Sequence, residues 1–271
     1  MFNSQVGWLQ SVIARSPLGV RCAVKVSNQC RAILGRAHGS TVVDMAANGE
    51  AAIIDLTNKS LRFVVDVGAN RGEWSHMVLK NPTVEACLLL EPSASALSAL
   101  QQRFNAEPRA VIVSAAAGDC AGRMPFYEEP GAGETSTLVA GASLLGEART
   151  VQVTTLETEI DRLGWPAVDY LKIDAEGYDF HVLRGARQLF EQKRIALGQF
   201  EYGKAWAASG STLAYALKWL QDRGYQCFLL KNRRLYLPRP DIYGEYFGYS
   251  NYVFCHEGSK PLIAPLICST F

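Results

Sequence analysis

From residue 61 onward, short apolar runs alternate with helical stripes, and that alternation constrains the fold more than any other feature. "RFVVDVG" is a continuous β-branched run of the kind buried on both faces of a sheet. "EACLLLEP", "RAVIVSAAAG", "VDYLKIDAEG", "IALGQFEY", "YQCFLLK" and "SNYVFCHE" complete seven strands. Between them stand helical stretches such as "WSHMVLK", "SASALSALQQRF" and "LAYALKWLQDRG", and a stripe of Phe180, Leu183, Ala186, Leu189 and Phe190. "GRMPFYEE" reads as an extra strand before a loop holding Gly131, Gly133, Gly141 and Gly146, and "TVQVTTLETEIDRL" as a short strand plus a helix. The pattern predicts an α/β, three-layer, mostly parallel sheet with helices on both faces.

A chain of 271 residues can bury a substantial core as one large domain with an attached segment. The net charge of +1 gives no global case for nucleic acid as a partner. Seven scattered cysteines without a CxxC pair suit reduced thiols in a cytosol better than a disulfide scaffold or a zinc site. No apolar run approaches the roughly 20 residues of a spanning helix. No basic region precedes the short apolar stretch near the start, so a secretory signal is not expected and a cytoplasmic protein is.

In sheets of this kind a ligand binds beyond the carboxyl ends of the strands, and the first turn commonly supplies the main contact. Here that turn is "DVGANRG", where Gly68 and Gly72 would let backbone approach a ligand and the next helix would offer unpaired N–H groups. Glu91 ends the second strand, 19 residues after Gly72, where a carboxylate can accept hydrogen bonds from both hydroxyls of a ribose. The turn lacks the GxGxxG spacing of a pyrophosphate cradle, since Ala69, Asn70 and Arg71 separate its two glycines.

"VVDVGANRG" resembles the first motif of class I S-adenosylmethionine-dependent methyltransferases. "LEPS", "SAAAGDCAG", "VQVTTLETEID", "DYLKIDAEGYDFHVLRGA" and "NYVFCHE" narrow the resemblance to the FkbM family of O-methyltransferases, over roughly residues 61–257. Glu157 stands where that family usually has aspartate. The resemblance implies a Rossmann-like, seven-stranded fold with a helical N-terminal addition. It implies that Asp66, Gly68, Ala69, Asn70 and Gly72 hold the methionine part of the cofactor. Glu91, with Pro92 beside it, would hold the ribose, and Ser114, Ala115 and Ala116 would flank the adenine. Family members methylate hydroxyls of sugars, glycans and polyketides, so the expected acceptor is a sugar, glycan or glycolipid hydroxyl. The domains expected are a helical segment over 1–60, the methyltransferase domain over 61–258 and a tail over 259–271.

Methyl transfer to a hydroxyl needs in-line alignment and a group to take the hydroxyl proton. Asp174, Glu176 and Glu201 end the fourth and fifth strands and are the candidate bases, since neighbouring carboxylates raise one another's pKa. Equally, Asp174 could cap the following helix and Glu176 favour its N-terminal dipole. The same three residues could offer oxygen to Mg²⁺, although nothing in their spacing demands it. His181 and His256 are secondary candidates, and Tyr178, Ser136 and Thr137 could gate or orient the acceptor. Tyr243, Tyr246, Phe247, Tyr249 and Tyr252 cluster in sequence and could stack on a sugar, or simply form core. Competing readings are a nucleotide-sugar or NAD-dependent enzyme and a non-catalytic nucleotide-binding module.

Residues 1–43 hold Arg15, Arg21, Lys25, Arg31 and Arg36 and no acid, leaving 22 bases against 26 acids beyond them. Trp8, Leu9, Val12 and Ile13, extended by Phe2 and Val6, give this segment an apolar side. The first expectation is that it docks back over the sheet and covers the acceptor crevice, because the two parts of the chain carry opposite charge. An anionic membrane surface and organelle targeting are the alternatives.

Overall fold

The computed structural model describes residues 2–39, 42, 44–129, 136–142 and 147–268. Two helices open the chain, α1 (Phe2–Ala14) and α2 (Pro17–Ala37). Ser16 divides them: its side chain accepts the Gly19 N–H, and Pro17 takes the first helical position. The short helices α3 (Met45–Asn48) and α4 (Glu50–Thr57) follow. Asn48 ends α3, and its side chain accepts the Glu50 N–H at 2.8 Å.

The alternating part then begins with β1 (Phe63–Val67), α5 (Glu73–Leu79), β2 (Ala86–Leu90), α6 (Ala94–Arg103) and β3 (Ala110–Val113). After β3 the chain leaves the main sheet. It forms β4 (Ala116–Ala117), β5 (Gly122–Glu128) and β6 (Glu147–Thr154), a small separate sheet in the order β4-β6-β5. Next come α7 (Leu156–Leu163), β7 (Val168–Ile173), α8 (Asp179–Arg184), α9 (Arg187–Glu191) and β8 (Ile195–Tyr202). The chain continues through α10 (Ala205–Ala208), α11 (Leu213–Asp222), β9 (Tyr225–Lys231), β10 (Arg234–Tyr236) and α12 (Pro240–Tyr243). It closes with β11 (Ser250–His256), α13 (Lys260–Ile263) and β12 (Ile267–Cys268).

The main sheet runs β12-β10-β9-β11-β8-β7-β1-β2-β3. β3, β2, β1, β7 and β8 are mutually parallel, while β11 runs against both its neighbours, β8 and β9. The seven expected strands are therefore present. Two more, β10 and β12, extend the edge, and the "GRMPFYEE" strand lies in the second sheet. Strand alternation separates two cores. Val65, Val67, Leu88, Leu90, Leu171 and Ile173 pack under α7, α8, α9 and α11. Val64, Cys87, Leu89, Tyr170 and Leu197 face α4, α5, α6 and α13.

Both expected segment boundaries move. α4 seats Ile53 and Ile54 in the second core, so residues 45–60 pack with the domain and do not belong to a separate N-terminal segment. Residues 259–268 include β12, which pairs with β10, and Ile263, which is fully buried, so these residues are built into the fold. Docking of α1 and α2 over the sheet is not what the structure shows. From Trp8 to Ile33 every residue but Gly19 is exposed, and among the described residues none of the five bases of this segment is ion-paired. A weak long-range attraction between oppositely charged parts does not hold helices without buried contacts. Among the described residues, no helix is long and apolar enough to cross a membrane.

Candidate active site

The turns after β1 and β7 meet at the carboxyl edge of the sheet. Gly68 has φ +77, and a Cβ there would lie 1.9 Å from the Asp174 carbonyl oxygen, so only glycine lets the two turns touch. Gly72, at φ +75, leaves room for Phe104, just past α6, and for Leu100 of α6, which a Cβ would approach to 2.5 and 2.8 Å. Both glycines therefore permit close packing within the protein. Ala69 is buried, with its N–H and that of Gly68 donating to the Leu90 carbonyl. The turn is thus tied to the end of β2.

Glu91 follows directly. It is only 5% exposed, and its two carboxylate oxygens accept the backbone N–H groups of Asn70 and Ser93, each at 2.8 Å. Burial pushes its carboxyl up to about 7, against the opposing effect of those two donors. Each oxygen keeps a second lone pair, the requirement for gripping two adjacent hydroxyls. Asn70 sits at φ 45, a left-handed conformation asparagine tolerates, and its buried side-chain oxygen has no hydrogen-bond partner. An orphaned acceptor beside a carboxylate with spare lone pairs fits a ligand carrying an ammonium and a ribose, as S-adenosylmethionine does. Pro92 is half-buried beside Glu91. Ser114 is exposed just past the end of β3, Ala115 is buried, and Ala116 has already entered the small sheet opposite Val153.

Asp66 lies elsewhere. Its side chain is fully buried beneath the turn, where one oxygen accepts from Ser75 Oγ at 2.6 Å and the other stands 3.7 Å from Lys172 Nζ. It supports the turn from below. Lys172, whose role the sequence reading overlooked, also donates to Asp174 at 2.9 Å, and the carboxylates of Asp174, Asp66 and Glu50 outweigh burial in holding it charged. Glu50, from α4, accepts from Asn48, Gln199 and Asn251, and burial raises its carboxyl pKa. A buried polar row on one face of the sheet thus runs from Asp66 through Lys172 and Gln199 to Asn251.

Asp174, Glu176 and Glu201 come together: one carboxylate oxygen from each lies within 4.8 Å of the others. Glu176 is held at φ 48, a conformation costing a non-glycine residue about 1–3 kcal/mol. Thr137 Oγ1 donates to its carbonyl at 2.7 Å, fastening the described part of the Gly-rich loop to this turn. Gly131, Gly133 and Gly146 of that loop lie outside the described residues. Asp174 does not cap α8. Asp179, another residue the sequence reading overlooked, gathers the turn by accepting from Gly177 N, Glu201 N and Ala175 N. Burial and the nearby Asp174 push Asp179 up to about 7, and burial with the surrounding acids lifts Glu201 well above the ordinary carboxylate range. The spacing allows both proton sharing and coordination of a hard cation.

The histidines are placed away from this cluster. His256 pairs with Tyr225 at the amino end of β9, the opposite edge of the sheet, because β11 is antiparallel. His181 stacks on Tyr178 at 4.1 Å, and its ring nitrogens meet Ser209 O and the Asp119–Arg184 pair. Of the tyrosine-rich stretch, Tyr246 and Tyr252 bond each other and pack with Tyr202 as core. Tyr249 immediately precedes Ser250, opposite the last residue of β8, and its hydroxyl accepts from Asn251 at 3.2 Å. The carboxylates of Glu201, Glu50 and Asp174 add to burial in raising its pKa, so it borders the acidic cluster.

The sequence matches the Methyltransferase FkbM domain over residues 66–227, more than half its length. The chain belongs to the FkbM methyltransferase domain family. No curated protein matches it. Among solved structures, methyltransferase FkbM from Methylobacillus flagellatus KT is 18% identical, with a TM-score of 0.45, covering 71% of this chain and 43% of that one. Spermidine synthase from Thermotoga maritima is 17% identical, with a TM-score of 0.43, covering 77% and 58%. This FkbM-domain chain therefore spans less than two thirds of the length of either. Precorrin-6y C5,15-methyltransferase from Geobacter metallireducens GS-15 is 11% identical, with a TM-score of 0.41, covering 75% and 86%.

Proposed function

We propose that this chain transfers the methyl group of S-adenosylmethionine to a hydroxyl oxygen of a sugar, glycan or glycolipid. The observation that carries the reading is the contact between Gly68 and the Asp174 carbonyl, which makes the cofactor turn and the three-carboxylate turn one wall. The bound cofactor supplies an electrophilic sulfonium methyl. Glu91 grips the ribose hydroxyls, and the unpartnered Asn70 oxygen accepts from the ammonium of the methionine part.

On the acceptor side, Asp174, Glu176 and Glu201 offer acceptors to a hydroxyl and take its proton as the new bond forms. Glu201, whose carboxyl pKa is raised by burial and the surrounding acids, is better matched to that task than an ordinary surface carboxylate. The same carboxylates favour oxygen over nitrogen as nucleophile: an amine held among them stays protonated and unreactive, whereas a hydroxyl hydrogen-bonded to them gains nucleophilicity. Tyr249 offers a ring and a hydroxyl at the cluster's border, suited to a polyhydroxylated acceptor.

The test is incubation of the purified protein with methyl-labelled S-adenosylmethionine and fractionated glycans and glycolipids. Label in an alkali-stable ether is expected. Label released by alkali as methanol, label on nitrogen, or preferential binding of NAD or a nucleotide sugar would overturn the reading.

A further inference from the structure

We infer that α1 and α2 form an amphipathic docking element for an anionic lipid bilayer, independently of the reaction the domain performs. The two helices project from the domain, and their apolar side chains have no cover: Trp8 is 69% exposed, Leu18 71%, Val26 63% and Ile33 64%. At 3.6 residues per turn, Leu18, Cys22, Val26, Cys30, Ile33 and Leu34 fall within an arc of about 160° on α2. Arg21, Lys25, Arg31 and Arg36 fall within about 140° on the other side, which the exposed Val20 and Val24 share. On α1, Val6, Trp8, Leu9, Val12 and Ile13 share a similar arc of about 160°.

A wide apolar face flanked by bases, with no acid anywhere in residues 1–43, complements a surface that is apolar beneath and negative above. Each base near the headgroups adds attraction that salt screens. A second copy of the chain suits this face less well. Pairing through α2 would bring two basic helices together, and an arc of this width exceeds a two-helix seam.

Trp8 provides an internal reporter, because the other four tryptophans, Trp74, Trp165, Trp206 and Trp219, are all at most 8% exposed. The 271-residue protein is mixed with phosphatidylcholine vesicles, with and without phosphatidylserine, and followed by co-sedimentation and tryptophan emission. Sedimentation with the anionic vesicles only, a blue shift absent from Trp8→Phe, and reversal by high salt are expected. The triple variant Arg21→Glu, Lys25→Glu, Arg31→Glu touches no buried residue and should lose at least tenfold in vesicle affinity while keeping the wild-type unfolding temperature. Equal association with neutral vesicles, or none with anionic vesicles at low salt, would overturn the inference. So would a concentration-dependent dimer broken by Val26→Asp, or charge-dependent binding to a nucleic acid duplex without vesicle binding.

Discussion

Lys172 and Asp66 sit directly opposite each other in neighbouring parallel strands, with Nζ 3.7 Å from Oδ1, both buried in the middle of the sheet. The pair lies on the face covered by α4 and α5, and Lys172 reaches on to Asp174 at the edge of the candidate site. One lysine therefore joins the turn after β1 to the turn after β7.

Removing that lysine strands buried charge. Lys172→Met should destabilise the fold by about 3–5 kcal/mol, because Asp66 and Asp174 lose their cation. The double variant Lys172→Met, Asp66→Asn should recover a large part of the loss. Urea unfolding followed by circular dichroism measures both. A single variant as stable as the parent would show that the pair contributes no structural coupling.

Stability should also fall as pH rises through neutrality. Glu91 and Asp179 have carboxyls raised to about 7 in the folded protein. The folded state thus keeps protons that the unfolded chain has already released, and the stabilisation, complete below the ordinary carboxylate range, is lost as pH climbs to about 7. The loss is on the order of 3 kcal/mol per group. A melting temperature measured without ligand should decline from pH 5 to pH 8. A rising or flat profile would contradict the assigned burial.

The three clustered carboxylates should matter to turnover more than to cofactor binding. Asp174→Asn and Glu176→Gln preserve shape and remove charge, so S-adenosylmethionine affinity should hold while the rate with a true acceptor falls about 10²–10⁴-fold. Acting as bases, the carboxylates should support turnover in excess EDTA. Activity abolished by EDTA and restored by Mg²⁺ would reassign them as metal ligands.

Tyr249→Phe removes the hydroxyl that borders this cluster and keeps the ring. A rise in acceptor KM with little change in the cofactor constant is expected, since Asn251 keeps its bond to Glu50. Unchanged acceptor kinetics would place the acceptor elsewhere.

Much of this arrangement was legible in the sequence. The β-branched run ending at "DVGANRG", an acid at the end of the next strand, and Asp174 and Glu176 straddling one residue mark the two halves of the candidate site. What stayed hidden is non-local. Glu50 meets Gln199 and Asn251 across separations of 149 and 201 residues, and no local pattern announces such partners. Lys172 did carry a signal, since a charge inside a strand buried on both faces must be paired. The reversed direction of β11, which sends His256 to the far edge and Tyr249 to the near one, could not be read from a run of apolar residues. The two glycines stand out in the sequence, but the groups that crowd them are Asp174, Phe104 and Leu100, known only once the chain is folded.

The central claim, that the turn after β1 and Glu91 form the S-adenosylmethionine site, is tested most directly by calorimetric titration of the folded parent and of Glu91→Ala. Saturable one-to-one binding to the parent is predicted, weakened in the variant by about 2–4 kcal/mol, or roughly 30- to 1000-fold. No binding to the parent, or equal affinity in a variant shown to be folded, would contradict the account.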